Sequence, residues 1–231
     1  MAVADIRKTV VQIINEVERR LAVDASTSAG ATKLSTMLVD LLNDTIDEVS
    51  DAGDWQEMIR EAKVTAVASV ASYEIAVSGN IKNILEISWG DDIASLDVVS
   101  IEDILRLQRV RRFGAPRQYA IVGVSGVNPI IRPHPIPNAS SITAETSAGG
   151  VFTVVFYKKP VLFGTADTSA IPAFPAKVLV QGVYAKALLE ENGGEPPREY
   201  EMAYAEYLKA RTEAANRLTT DTGTDIYLVP G

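Results

Sequence analysis

The chain has 231 residues, 47% of them hydrophobic and 23% charged, with 22 Lys and Arg against 30 Asp and Glu and a formal charge of −8. That length and apolar content sustain a real core, as one large domain or one domain with an insertion, and the acidic balance disfavours nonspecific nucleic-acid binding. The absence of Cys excludes a disulfide framework, a thiol nucleophile and thiolate metal ligation, and no run approaches the ~18 apolar residues of a membrane span.

The first residues, Met1-Ala2-Val3-Ala4-Asp5-Ile6-Arg7-Lys8, alternate charged and apolar side chains, unlike a signal peptide. A soluble protein made in the cytoplasm is expected. Val3, Ile6, Val10, Ile13, Ile14, Val17 and Leu21 recur every three or four residues, which predicts a helix over about 3–22. A polar loop follows. Leu34, Met37, Leu38, Leu41, Leu42, Ile46 and Val49 predict a second helix over about 32–51. Neither buries its stripe alone, so the two are expected to pack as an antiparallel hairpin.

Beyond Gly53-Asp54-Trp55 the period falls towards two. Strands are predicted at about 63–70, 73–77, 81–89 and 94–99. Ser100-Ile101-Glu102-Asp103 resembles a capping box and opens a short helix to about Val110, with Ile101, Ile104, Leu105 and Val110 apolar. Strands resume at 117–124, 129–132 and 151–158. The small, polar stretch 138–150 reads as a long mobile hairpin loop. Residues 176–191 are apolar on most sides, as in a buried helix. Asn192-Gly193-Gly194 stops it, and Pro196-Pro197 leads into a last helix over about 197–218.

The fold expected from this order is α+β. The N- and C-terminal helix pairs (1–60 and 172–218) form a four-helix bundle. A small antiparallel β domain with one short helix (61–171) is inserted, and 219–231 is an extended C-terminal arm.

Enzyme signatures are sparse. The only histidine, His134, lies between Pro133 and Pro135, where a bland strand-edge role outweighs that of a general base. Asp221-Thr222-Gly223 matches the start of an aspartic-protease signature, but eight residues follow it, too few for an enclosing strand framework. Gly123-Val124-Ser125-Gly126 fails the nucleophile elbow because Val127 follows. Glu190-Glu191 and Asp91-Asp92 are adjacent pairs, and adjacent side chains do not face each other on a helix. No catalytic residue, metal ligand or cofactor is expected.

Arg106, Arg109, Arg111, Arg112 and Arg117 form a basic cluster on an acidic chain. Three readings stand open: a solvated face with charge suited to a helix C-terminus, a dock for an acidic protein surface, or a phosphate contact. The last lacks an interleaved aromatic platform. Tyr200, Tyr204 and Tyr207 fit a core or an interface stripe equally. Ile226, Tyr227, Leu228 and Val229 need cover, either from their own domain or from a partner.

Several motifs in order resemble one family. They are Trp55, Tyr73, Gly114-Ala115-Pro116-Arg117-Gln118-Tyr119-Ala120-Ile121, the proline-rich 129–137 and Phe156-Tyr157-Lys158-Lys159-Pro160. Ile171-Pro172 follows, then a helix with Gly182, Tyr184 and Leu188, and finally Tyr200 and Tyr207. Together they resemble the head-to-tail adaptors of tailed bacteriophages, which include the tail-tubular-A-type proteins of short-tailed phages. The resemblance implies a structural, non-enzymatic virion protein at the neck of the particle. It implies a homo-oligomeric ring, usually of twelve copies, beneath the portal protein. DNA would pass through the ring without sequence-specific binding, and a downstream tail protein would dock on it. It further implies that 219–231, with Ile226, Tyr227, Leu228 and Val229, grips the portal, and that 138–150 faces the tail or the channel. Subunit contacts would then fall to Arg106, Arg109, Arg111 and Arg112. The alternative is a carbohydrate- or ligand-binding β module. It needs an aromatic strip drawn from Tyr73, Trp89, Tyr119, Phe152, Phe156 and Tyr157.

Overall fold

The computed structural model describes residues 7–21, 32–53, 55–77, 79–90, 95–144 and 150–221. The elements in order are α1 (Val10–Arg20), α2 (Lys33–Asp51), a single 3-10 turn (Gln56–Met58), β1 (Ile59–Thr65), β2 (Tyr73–Glu74), β3 (Ile81–Trp89), β4 (Asp97–Val98), α3 (Ile101–Gln108), β5 (Gln118–Ser125), β6 (Asn128–His134), α4 (Ala139–Ala144), β7 (Val151–Lys158), α5 (Ala176–Glu191) and α6 (Arg198–Asp221). They divide into two compact units, one of Met1–Glu57 with Pro160–Gly231 and one of Met58–Lys159.

In the first unit, α1 starts at a reciprocal capping box between Thr9 and Gln12. Its next two orphan donors, the Val10 and Val11 N–H groups, reach the carbonyls of Ala170 (2.9 Å) and Thr168 (3.2 Å). The returning chain is also fixed by Asn43. Its amide donates to the Phe163 carbonyl (2.9 Å) and accepts from the Phe163 N–H (2.8 Å). Trp55 donates its indole N–H to the Val49 carbonyl (2.8 Å) and meets Phe174 edge-on at 5.1 Å between ring centroids.

The centre of this unit is α5. Val178, Leu179, Val180, Val183, Ala185 and Ala187 are all buried, on every side of the helix, and α1, α2 and α6 each pack against it. At roughly 1.5–3 kcal/mol per buried aliphatic side chain, this one helix contributes much of the unit's stabilisation. A built Cβ on Gly182 would lie 2.5 Å from Thr45 Cγ2 and 2.9 Å from Tyr207 Cε2, so glycine sets how closely α2 and α6 approach α5.

The second unit holds two sheets. One is antiparallel, in the order β1-β7-β3. The other, β2-β6-β5-β4, is mixed, because β4 pairs parallel with β5. Ile87, Trp89, Phe152, Val154 and Phe156 from the first sheet share one core with Tyr73, Tyr119 and Ile131 from the second. Gly150 tolerates no side chain, since a Cβ there would stand 2.6 Å from Trp89 Cη2.

The expected four-helix bundle with a small antiparallel insertion is therefore overturned, although α+β holds. An all-round apolar α5 serves as an axis for three helices, whereas a bundle needs four helices that each offer one stripe. Among the described residues the β part has two sheets and seven strands, one strand pairing of which is parallel. A second correction concerns 138–150. Its first half is helical: Asn138 Oδ1 accepts from the Ser141 N–H (2.8 Å) and starts α4. Residues 145–149 lie outside the described residues, as do 1–6 and Asp91-Asp92. No helix among the described residues is long and apolar enough to cross a membrane.

Candidate functional site

The basic cluster is built on α3 and the turn after it. Ser100 caps the helix, accepting from the Asp103 N–H (3.1 Å). Ile104, fully buried, faces β5 and β6. One turn on, the Gln108 amide reaches the carbonyls of Pro133 (3.3 Å) and Ala71 (3.4 Å). With the Ile104 and Gln108 face spent on the sheet, Arg106 projects outward.

The turn that follows is held by the backbone. The Arg111 N–H donates to the Gln108 carbonyl (3.0 Å), and Arg111 itself sits at φ +41°, a region side-chain-bearing residues rarely enter. The Ile136 N–H then donates to the Arg112 carbonyl (2.9 Å), and the Gly114 N–H to the Ile136 carbonyl (2.9 Å). This short parallel ladder anchors the arginine turn to the chain beyond β6. Arg106, Arg109, Arg111, Arg112 and Arg117 are all exposed, and none forms an ion pair with a described residue.

Apolar side chains lie among them. Ile101, Leu105 and Val110, apolar positions of the short helix and its end, are 48%, 43% and 68% exposed. Val98 and Phe113 join them at 68% and 50%. The sequence showed these residues as apolar but not which way they face, because a helix of two turns shows too short a period to separate one apolar face from two. The result is an apolar surface interleaved with unpaired arginines, a composition typical of protein contacts.

His134 lies beneath this surface and is 6% exposed. Its carbonyl accepts from the Arg117 N–H (3.0 Å), while Nδ1 has no hydrogen-bond partner among the described residues. Burial, and then the Arg112 charge, hold its pKa below the ordinary 6.5. It is a core histidine of β6, and no carboxylate among the described residues is hydrogen-bonded to its Nδ1.

The other expected sites separate. Tyr207 is fully buried, while Tyr204 and Tyr200 are half-buried and continue the row, stacked on each other at 5.5 Å. Burial first, and then the Glu48 carboxylate, raise the Tyr207 phenol above its ordinary pKa. Ile226, Tyr227, Leu228 and Val229 lie outside the described residues, as do Thr222 and Gly223 of the protease-like triplet. The aromatic strip required of a carbohydrate-binding module does not form. Tyr73, Trp89, Tyr119, Phe152 and Phe156 are consumed by the β core, with Phe152 packed between Tyr73 (5.0 Å) and Trp89 (4.8 Å). Among the described residues no group of three or more His, Asp or Glu side chains could hold a metal ion.

A family model described as "SU10 adaptor protein" matches residues 8–228, nearly the whole chain. No curated protein matches. The chain belongs to that family, whose members are head-tail adaptors of bacteriophages, and it is a viral structural protein.

Proposed function

We propose that this member of the SU10 adaptor family forms a ring of twelve copies beneath the portal, at the neck of the virion. The ring extends the DNA exit channel and presents a platform on which the next tail component docks. In this reading Arg106, Arg109, Arg111 and Arg112 contact the neighbouring subunit, and the arm 219–231, with Ile226, Tyr227, Leu228 and Val229, grips the portal. DNA slides past a chain of net charge −8 without being held. The observation that carries the proposal is the family match across 8–228. It is supported by an exposed surface in which apolar side chains alternate with unpaired arginines and which a free monomer would leave wet.

The role is mechanical. Two independently cored units give a subunit one face to spend on its neighbours and another on portal or tail, and no step requires a bond to be made or broken. The test is capture of the tagged protein from cells producing the particle, with partners identified by mass. A portal-like ring protein at near-equal copy number is expected, and its loss when 219–231 is deleted identifies the arm as the grip. Recovery of no virion component would overturn the reading.

A further inference from the structure

Charge is divided unevenly between the two units. Met58–Lys159 carries 11 Lys and Arg against 9 Asp and Glu, whereas Met1–Glu57 with Pro160–Gly231 carries 11 against 21. A chain of net charge −8 is thus a slightly basic body joined to a strongly acidic one.

Within the acidic unit the charge is also arranged. Asp40, Asp44 and Asp47 recur at spacings of four and three along α2, and all three are exposed. None has a hydrogen bond or ion pair among the described residues. Their neighbour Glu48, half-buried, is by contrast engaged by Arg211 (2.9 Å) and Lys186 (3.3 Å). The helix satisfies the carboxylate it half-buries and leaves a solvent-facing row of three unsatisfied.

We infer that the Arg106–Arg112 surface of one copy docks on the Asp40/Asp44/Asp47 face of α2 in a second copy of this chain. The inference rests on the ring reading and names the two surfaces that would meet in it. Charge complementarity selects the occupant. Two acidic units repel each other, and so do two arginine surfaces, which disfavours a two-fold contact of like with like. A basic face against an acidic one is attractive and heterologous. Such head-to-tail contacts close into rings or run on as filaments, and do not stop at dimers. Ile101, Leu105 and Phe113 add exposed apolar area to the arginine surface.

The experiment uses two full-length, differently tagged chains assembled together in cells producing the particle. The protein has no Cys, so one chain carries Arg109→Cys alone and the other Asp44→Cys alone, and a short bifunctional thiol reagent can join only different copies. A mixed covalent dimer is expected, at several times the yield given by Arg109→Cys with Glu190→Cys, whose carboxylate is exposed at the far end of α5. Equal yields would overturn the inference. In a second arm, Arg109→Asp with Arg112→Asp should lower incorporation into particles by ~10-fold or more, and adding Asp44→Arg with Asp47→Arg in the same chain should restore most of it. A contact between the arginines and DNA would not be restored, because DNA stays anionic, so loss without rescue also overturns it. Thermal melting of each variant checks that these surface changes leave the fold intact. Unaltered protein absent from the neck would defeat the ring reading itself. Unaltered protein present in a neck ring, with neither cross-link nor rescue, would defeat only this pairing of faces.

Discussion

His134 shows how a single buried residue couples the fold to pH. Its ring is out of water, Nδ1 is unpartnered, and Arg112 adds an unfavourable positive charge. The fold therefore prefers the neutral imidazole, and its pKa lies below 6.5. The unfolded chain takes up the proton first as pH falls, so stability is fully present above about 6.5 and declines as pH drops from there towards the folded value. Glu16 behaves differently. Its hydrogen bond from Lys8, chiefly, holds the carboxylate below its ordinary 4.5, so what it contributes is lost only below that value. The His134 effect sets in first as pH falls, so above 4.5 it can be read apart from that of Glu16. Urea unfolding of the unaltered protein should show stability falling between pH 6.5 and 5, whereas His134→Gln should be nearly flat there. Parallel slopes for the two proteins would remove His134 as the cause.

At the scale of elements, α5 carries the helical unit, and its tightest point is Gly182. A methyl there meets Thr45 Cγ2 at 2.5 Å and the Tyr207 ring at 2.9 Å, and neither neighbour is the free end of a flexible chain. Thr45 is further pinned, because its hydroxyl donates to the Leu41 carbonyl at 2.7 Å. Gly182→Ala should destabilise by roughly 1–3 kcal/mol as overpacking, despite alanine's better helix propensity. Adding Thr45→Ser keeps the hydroxyl and deletes the clashing methyl, so it should recover part of the loss. Calorimetry of the two variants checks both statements, and a Gly182→Ala protein as stable as its parent would contradict the first. The same helix shows what could be read in advance. Its apolar run over 176–191 and its Asn-Gly-Gly stop are local signals, and they place both ends of α5. That three other helices would converge on it was not legible, because an apolar helix does not name its neighbours. Strand β4 falls inside the strand predicted over 94–99, but its parallel pairing with β5 was not legible, because the partner of a strand is not written in its period. The arginines were legible as a cluster. The outward side of Ile101 and Leu105 was not, since that depends on Ile104 and Gln108 having claimed the sheet.

At the scale of the whole molecule, the decisive property is that one unit is continuous in sequence and the other is not. Met58–Lys159 holds all of its strands and a closed core that joins Phe152 and Trp89 to Tyr73, Tyr119 and Ile131. The helical unit is assembled from both ends of the chain: α1 and α2 come before the β unit, and α5 and α6 after it. Conformational entropy treats the two differently. The β unit recovers its ordering cost from contacts within one segment of about a hundred residues, whereas α1 and α2 have only each other to bury against until the chain returns with α5. Asn43 and the amides of Val10 and Val11 reinforce that dependence, because their partners Phe163, Ala170 and Thr168 are also on the returning segment. An excised Met58–Lys159 fragment should therefore melt in one cooperative transition and give dispersed amide resonances. A chain stopped after Lys159 should keep that transition while its first 57 residues show the narrow amide dispersion and fast hydrogen exchange of an unpacked segment. If α1 and α2 were protected in the truncated chain, the axial role of α5 would be wrong. If the excised fragment failed to fold, its core would depend on contacts beyond its own sheets.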